Sequence, residues 1–155
     1  MLTGKKIVLG VSGGIAAYKM ANVASMLSKL HADIHVVMTE NATHFITPET
    51  FEVLTGNHCY TDTFDRCMEL HVPHIALGTQ ADAILIAPAS ADVVGKIANG
   101  IADDMLTTCV LPATCPVMLA PSMNVHMYEN PIVQDNMKKL VSYGYEIIEA
   151  DEGYL

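Results

Sequence analysis

Short apolar runs separated by polar turns and segments of helical period constrain this chain more than any other feature. Lys5 to Val11, Ile34 to Met38, Ala83 to Ala87 and Val117 to Ala120 read as strands, and Tyr145 to Glu149 reads as a fifth. The first four are nearly continuous apolar runs rather than alternating ones, which is the pattern of strands buried on both faces. Between them, Ile15 to Leu30 sets Ala16, Met20, Val23, Ala24 and Leu27 along one helical face. Pro48 opens a short helix through Leu54, stopped by Gly56, and Ile75 to Gln80 supplies one or two helical turns. Ser90 N-caps a helix to Ala98, with Asn99-Gly100 as its stop; Asp103 to Leu111 and Ile132 to Tyr143 complete the set. Thr39 to Thr47 reads as a loop, and Asn57 to Pro73 as mostly irregular. Strictly alternating strands and helices predict a parallel sheet with right-handed crossovers, covered on both faces. No linker, repeat or low-complexity stretch divides the chain, so residues 1–155 are expected to form a single domain.

In an open sheet of this kind, ligands bind outside the carboxyl ends of the strands. Composition narrows what such a ligand site can be. The chain has 155 residues, enough for a real core, with 51% hydrophobic and 16% charged residues. That richness anticipates a two-sided sheet, subunit interfaces, or both. A formal net charge of −9, with no basic run, excludes a nucleic-acid-binding surface. An anionic ligand must then rely on local N–H donors. No apolar run approaches the roughly 20 residues of a membrane span. Met1-Leu2-Thr3-Gly4-Lys5-Lys6-Ile7 leads straight into a strand without the layout of a secretion signal, so a cytoplasmic protein is expected. Cys59, Cys67, Cys109 and Cys115 have no C-x-x-C spacing and read as reduced thiols.

Four segments stand where chemistry is expected. In Gly10-Val11-Ser12-Gly13-Gly14-Ile15-Ala16, small residues between strand and helix let a phosphate approach backbone N–H groups, and the Ser12 hydroxyl can add a donor; a plain tight turn accounts for the same residues. After the second strand, Thr39 offers a hydroxyl, and Phe45 is either a core residue or the cover of a flat ring. After the third, Ala87-Pro88-Ala89-Ser90-Ala91-Asp92 offers Ser90 as cap or ligand contact. After the fourth comes Pro121-Ser122-Met123-Asn124-Val125-His126-Met127, with one amide at the head of a short apolar turn. Among seven histidines, His74 stands out because Pro73 fixes its approach and it opens the segment leading into the third strand. No pair of histidines has the spacing and carboxylate company of a zinc site, so no metal is expected.

These segments resemble the flavin-dependent cysteine decarboxylases. The Pro121 to Met127 stretch resembles that family's Pro-x-Met-Asn-x-x-Met signature, and Pro88 to Val93 its Pro-Ala-Ser-Ala-Asn-Thr motif, with Asp92 for Asn and Val93 for Thr. The Ser12 loop is similar to the family's flavin-phosphate loop, and Gly95 to Asp104 also resembles the family closely. The resemblance runs from Lys5 to Glu149 and is closer to the phosphopantothenoylcysteine decarboxylases than to the lantibiotic enzymes.

It implies a Rossmann-like, three-layer αβα fold with a mostly parallel sheet, and FMN held by Ser12, Gly13, Gly14, Thr39, Phe45, Ser90, Ala91 and Asp92. It also implies His74 and Asn124 as catalytic residues, with Asn124 and Met127 on the substrate. The implied reaction is decarboxylation of 4'-phosphopantothenoylcysteine to 4'-phosphopantetheine, by way of thioaldehyde and enethiolate. In that reaction His74 accepts a proton or orients the carboxylate, and Asn124 hydrogen-bonds the carboxylate without a salt bridge. The implied assembly is a homotrimer or a multiple of trimers, with FMN between subunits.

Two departures qualify the resemblance. Asp92 puts a carboxylate where the family has an amide, which is awkward beside a flavin unless it points elsewhere. The chain also ends at Gly153-Tyr154-Leu155, where the family's cysteine-bearing clamp begins; either the chain is truncated or reaction stalls at the enethiol. Alternatives are a lantibiotic-type peptide decarboxylase, a flavin prenyltransferase, which should lack the Pro-x-Met-Asn segment, and a phosphatase-inhibiting flavoprotein, whose long acidic tail is absent.

Overall fold

In the computed structural model, which describes residues 1–65 and 73–149, five parallel strands lie in the order β2-β1-β3-β4-β5. They are β1 (Lys6–Val11), β2 (Asp33–Met38), β3 (Ala83–Ala89), β4 (Val117–Pro121) and β5 (Glu146–Ile147). Helices α1 (Met20–Lys29), α2 (Pro48–Thr55), α3 (Pro73–Gln80), α4 (Ala91–Ala98), α5 (Met105–Val110), α6 (Val125–Glu129) and α7 (Pro131–Ser142) connect them. The expected Rossmann-like three-layer fold is present. Because β1 leads to β2 on one side and β3 pairs with β1 on the other, strand order reverses between β1 and β3, the position where such folds open a ligand crevice.

Successive strand residues serve opposite faces. Val8, Val37, Ile84, Ile86 and Leu119 join the core under the helices α3, α4, α5 and α7. Leu9, Val11, Ile34, Val36 and Met38 join a second core with Ala24 and Phe51, contributed by α1 and α2. The continuous apolar runs arise from this double burial. Coverage is nevertheless uneven. On the α1–α2 face, Leu9, Val11, Ile34, Val36 and Met38 are buried, whereas Ile7 of β1 and Ala83, Leu85, Met118 and Ala120 of β3 and β4 are only partly buried; Ala87, at the carboxyl end of β3, is buried again. Helices cover both faces as expected, more completely over β1–β2 than over β3–β4.

Element boundaries shifted for local reasons. The chain enters α1 through a 3-10 turn at Ile15–Lys19, whose tighter winding brings Ala17, rather than Ala16, into the core. The Thr39–Thr47 loop contains a 3-10 turn at Asn41–His44. Gly56 ends α2 in the left-handed region (φ 73°). Asp104 and Thr107 form a reciprocal capping box, so α5 starts at Met105. β3 and β4 each reach further than expected, to the paired Ala89 and Pro121, after a register shift between Ile86 and Ala89. β5 pairs over only two residues. Within the stretch read as irregular, Tyr60 bridges to Val37 at the β2 edge. Cys67, His71 and the chain end at Gly153 to Leu155 lie outside the described residues.

Candidate active site

The first and third loops are joined through one buried side chain. Ser12 is fully buried; its hydroxyl donates to the Pro88 carbonyl and accepts the backbone N–H of Ser90 at 2.8 Å. The Ser12 N–H also reaches the Pro88 carbonyl, at 3.3 Å. The hydroxyl proton anticipated for a phosphate is thus committed inside the protein, and Ser12 shapes the loop instead.

The two glycines that follow do different things. A Cβ on Gly13 would lie 2.5 Å from Asn41 Cβ, so only glycine lets the β1 loop close on the β2 loop. Gly14 is extended (φ −167°, ψ 159°), and a Cβ there would meet nothing nearer than Pro88 Cγ at 4.0 Å. One side of Gly14 is open. Among the described residues, the N–H groups of Gly13 and Gly14 have no backbone acceptor.

Thr39 is nearly buried. Its N–H donates to the Val11 carbonyl (3.0 Å), and its hydroxyl oxygen accepts from Ala42 N–H (3.2 Å), which starts the 3-10 turn that presents Phe45. Phe45 is 46% exposed, and Ile46 packs on the core in its place. The core reading of Phe45 is therefore overturned; the residue is about half exposed, on the loop after β2.

In the third loop Ser90 caps α4, its oxygen accepting the N–H of Val93 at 3.3 Å. Ala91, the first residue of α4, is partly buried. Asp92 pairs with Lys96 at 3.2 Å, and Lys96 also pairs with Asp103 at 3.2 Å. Burial pulls the Lys96 pKa down, but the two carboxylates outweigh it and the net shift is upward, which keeps the ammonium charged. Sequence reasoning missed Lys96, although its i,i+4 spacing from Asp92 was a readable signal.

The fourth loop is tethered to the third by the Ser122 N–H donating to the Ala89 carbonyl at 3.1 Å. Asn124 caps α6: its Oδ1 accepts the N–H of His126 at 2.8 Å. With the oxygen so engaged, the amide NH2 makes no hydrogen bond among the described residues. Asn124 is exposed, and Met127 on α6 is 49% exposed.

His74 occupies the second position of α3. As a crossover helix, α3 runs back along the sheet, so its start lies at the carboxyl-end edge shared by Ser12, Thr39, Ser90 and Asn124. The ring is partly buried, and its Nδ1 is buried with no hydrogen-bond partner among the described residues. A buried nitrogen left unpaired in the protein is a group with capacity for a ligand.

Several other ionisable groups lie away from these loops. His58 bridges Glu52 Oε2 (3.1 Å) and Asp65 Oδ2 (2.6 Å), with its ring edge-on to Tyr60. His35 pairs with Asp33 at 3.1 Å on the β2 edge. Cys59 and Cys109 are buried, and burial is the main force pushing both thiols up to about 12, so neither is a thiolate nucleophile.

The Flavoprotein family profile matches residues 1–154. The chain belongs to that family. Among curated relatives, this flavoprotein is 50% identical to the coenzyme A biosynthesis bifunctional protein CoaBC of Bacillus subtilis (strain 168), over 100% of the chain and 38% of the relative. It is 43% identical to a probable phosphopantothenoylcysteine decarboxylase of Streptococcus mutans serotype c (strain ATCC 700610 / UA159), over 97% of the chain and 86% of the relative. The chain thus spans well under half the length of the bifunctional relatives it matches. Among solved structures, the FMN-dependent cysteine decarboxylase SpaF superposes with a TM-score of 0.91 at 38% identity, over 99% of this chain and 88% of that one.

Proposed function

We propose that this flavoprotein binds FMN and decarboxylates 4'-phosphopantothenoylcysteine to 4'-phosphopantetheine. The observation that carries the reading is the buried His74 Nδ1, which has no hydrogen-bond partner among the described residues, with the exposed amide of Asn124 at the same end of the sheet. The names borne by the relatives supply the substrate class.

The residues present fit an FMN. The N–H groups of Gly13 and Gly14, with the open side of Gly14, suit a phosphate. The exposed Phe45 ring suits the edge of a flat aromatic group. Asp92, the residue least compatible with a flavin, is drawn to Lys96. Bound there, FMN supplies the two-electron oxidation that gives a cysteine carboxylate an electron sink for losing CO2.

The chain's own residues hold the substrate and handle its proton. The two N–H donors of Asn124 orient the carboxylate; being neutral, they do so without a charge that would hold it back from leaving. The Nδ1 of His74 accepts the proton released by the substrate, a task suited to an imidazole. Met127 contributes apolar surface beside Asn124. In the homotrimer that the family resemblance implies, a further copy would cover the apolar surface that Leu85 and Met118 leave partly exposed.

The test is to incubate the purified protein, carrying FMN, with 4'-phosphopantothenoyl-L-cysteine and weigh the product. Loss of CO2 alone is expected for the complete reaction. Loss of CO2 and two hydrogens, with bleached flavin, would place the end point at the enethiol. An unchanged substrate in the presence of bound FMN would overturn the substrate assignment and leave the flavin site standing.

A further inference from the structure

The third loop carries a carboxylate where an anionic ligand is least served by one. The loops Ser12–Gly14, Thr39–Phe45, Ser90–Asp92 and Ser122–Asn124 contain two carboxylates, Glu40 and Asp92, and neither Lys nor Arg. Asp92 lies in the first turn of α4, next to the N–H groups that face the crevice beyond Ser90. Since Ser90 already satisfies the N–H of Val93, the Asp92 side chain is not needed as a cap and is free to turn.

It turns to Lys96. The ammonium lies 3.2 Å from Asp92 Oδ2 and 3.2 Å from Asp103 Oδ2. Of the three side chains Lys96 is the least exposed, at 24% against 64% and 54%, so the ammonium is the fixed point on which both carboxylates converge. A simple surface i,i+4 pair would need neither the third member nor the partly buried cation.

We infer that Lys96 is a positioning residue that holds the Asp92 carboxylate against itself and Asp103, off the N–H groups at the start of α4, and so keeps the third loop open to an anionic cofactor. The inference rests on the reading of this site as an FMN site. It explains how the chain carries Asp92 without presenting its charge to the ligand, and it gives Lys96 a role at a distance from any contact with the flavin.

FMN binding to the full chain stripped of flavin tests this, read by quenching of flavin fluorescence at low ionic strength, where screening is weakest. Lys96→Met is expected to weaken FMN binding about threefold or more, the range of a partly exposed charge pair. Lys96→Arg should bind like the wild type. Adding Asp92→Asn to Lys96→Met should restore wild-type affinity, because the carboxylate that was released is gone. Asp92→Asn alone should shift affinity by less than about twofold, since Lys96 already restrains that charge.

Wild-type affinity in Lys96→Met would overturn the inference. So would a double variant as weak as Lys96→Met, which would mean that Lys96 acts through Asp103 or through packing. Asp92→Asn alone, which keeps the Lys96–Asp103 pair and tests the idea even if Lys96→Met does not fold, would overturn it by tightening binding severalfold. A wild-type chain that binds no FMN would overturn the cofactor reading itself.

Discussion

Two regions at the same end of the sheet are built on opposite terms. Where β1 meets β3, the hydroxyl and the N–H of Ser12 are both used within the protein, and its side chain is inaccessible. Beyond β4 and at the head of α3, the exposed Asn124 amide donors and the buried His74 Nδ1 have no hydrogen-bond partner among the described residues. The first region holds loops in place, and its polar groups stabilise because each has a partner. The second carries polar groups that the fold itself does not need. Construction and chemistry are therefore separable by substitution.

The largest effect should come from Asn124 and His74. Asn124→Asp and His74→Asn should each leave the visible spectrum of bound FMN intact while lowering CO2 release about 100-fold or more, the usual range for a lost proton-transfer or orienting group. Normal turnover in either variant would remove that residue from the second region.

The glycines break the first region in two distinguishable ways. Gly13→Ala forces a Cβ into Asn41 and should destabilise the fold by about 1–3 kcal/mol, as overpacking does, seen as a lower melting temperature even without flavin. Gly14→Ala projects into open space from an extended backbone. Its melting temperature without flavin should hold, within about 0.5 kcal/mol, while FMN affinity falls. Equal melting losses in both would mean that the open side of Gly14 belongs to the fold and not to a ligand.

The smallest effect concerns a satisfied histidine, the counterpart of His74. At His58, burial lowers the pKa, but the hydrogen bonds and charges of Asp65 and Glu52 outweigh it, and the net shift is upward from 6.5. A raised folded-state value gives stability that is fully present below the unfolded value and lost as pH rises through the folded one. Replacing His58 with Gln should therefore lower stability by about 0.5 kcal/mol in mildly acid buffer and by less in alkaline buffer, followed by thermal melts across pH. A difference that grows with pH would contradict the ion-paired bridge.

Much of this was legible in the chain. The alternation of apolar runs with helical segments fixes a parallel sheet, and helix punctuation by Ser90, Gly56 and Pro48 follows from capping chemistry that acts within a few residues. The four loops of interest could be named because strand ends are local features. Their partners could not. Nothing in the sequence near Ser12 announces that its hydroxyl reaches Pro88, 76 positions away, or that Phe45 yields its core place to Ile46.

The sequence by itself determined the order of elements, the turn chemistry and the residue types offered at the carboxyl edge, since each depends on neighbours in the chain. The tertiary structure alone decided which of those polar groups remain unsatisfied and which part of the sheet is covered less completely. Both depend on long-range packing: a hydroxyl or a nitrogen is free or occupied only once the distant segment that might satisfy it has arrived. Ser12 is met by Pro88 and Ser90, whereas the Nδ1 of His74 meets no described partner.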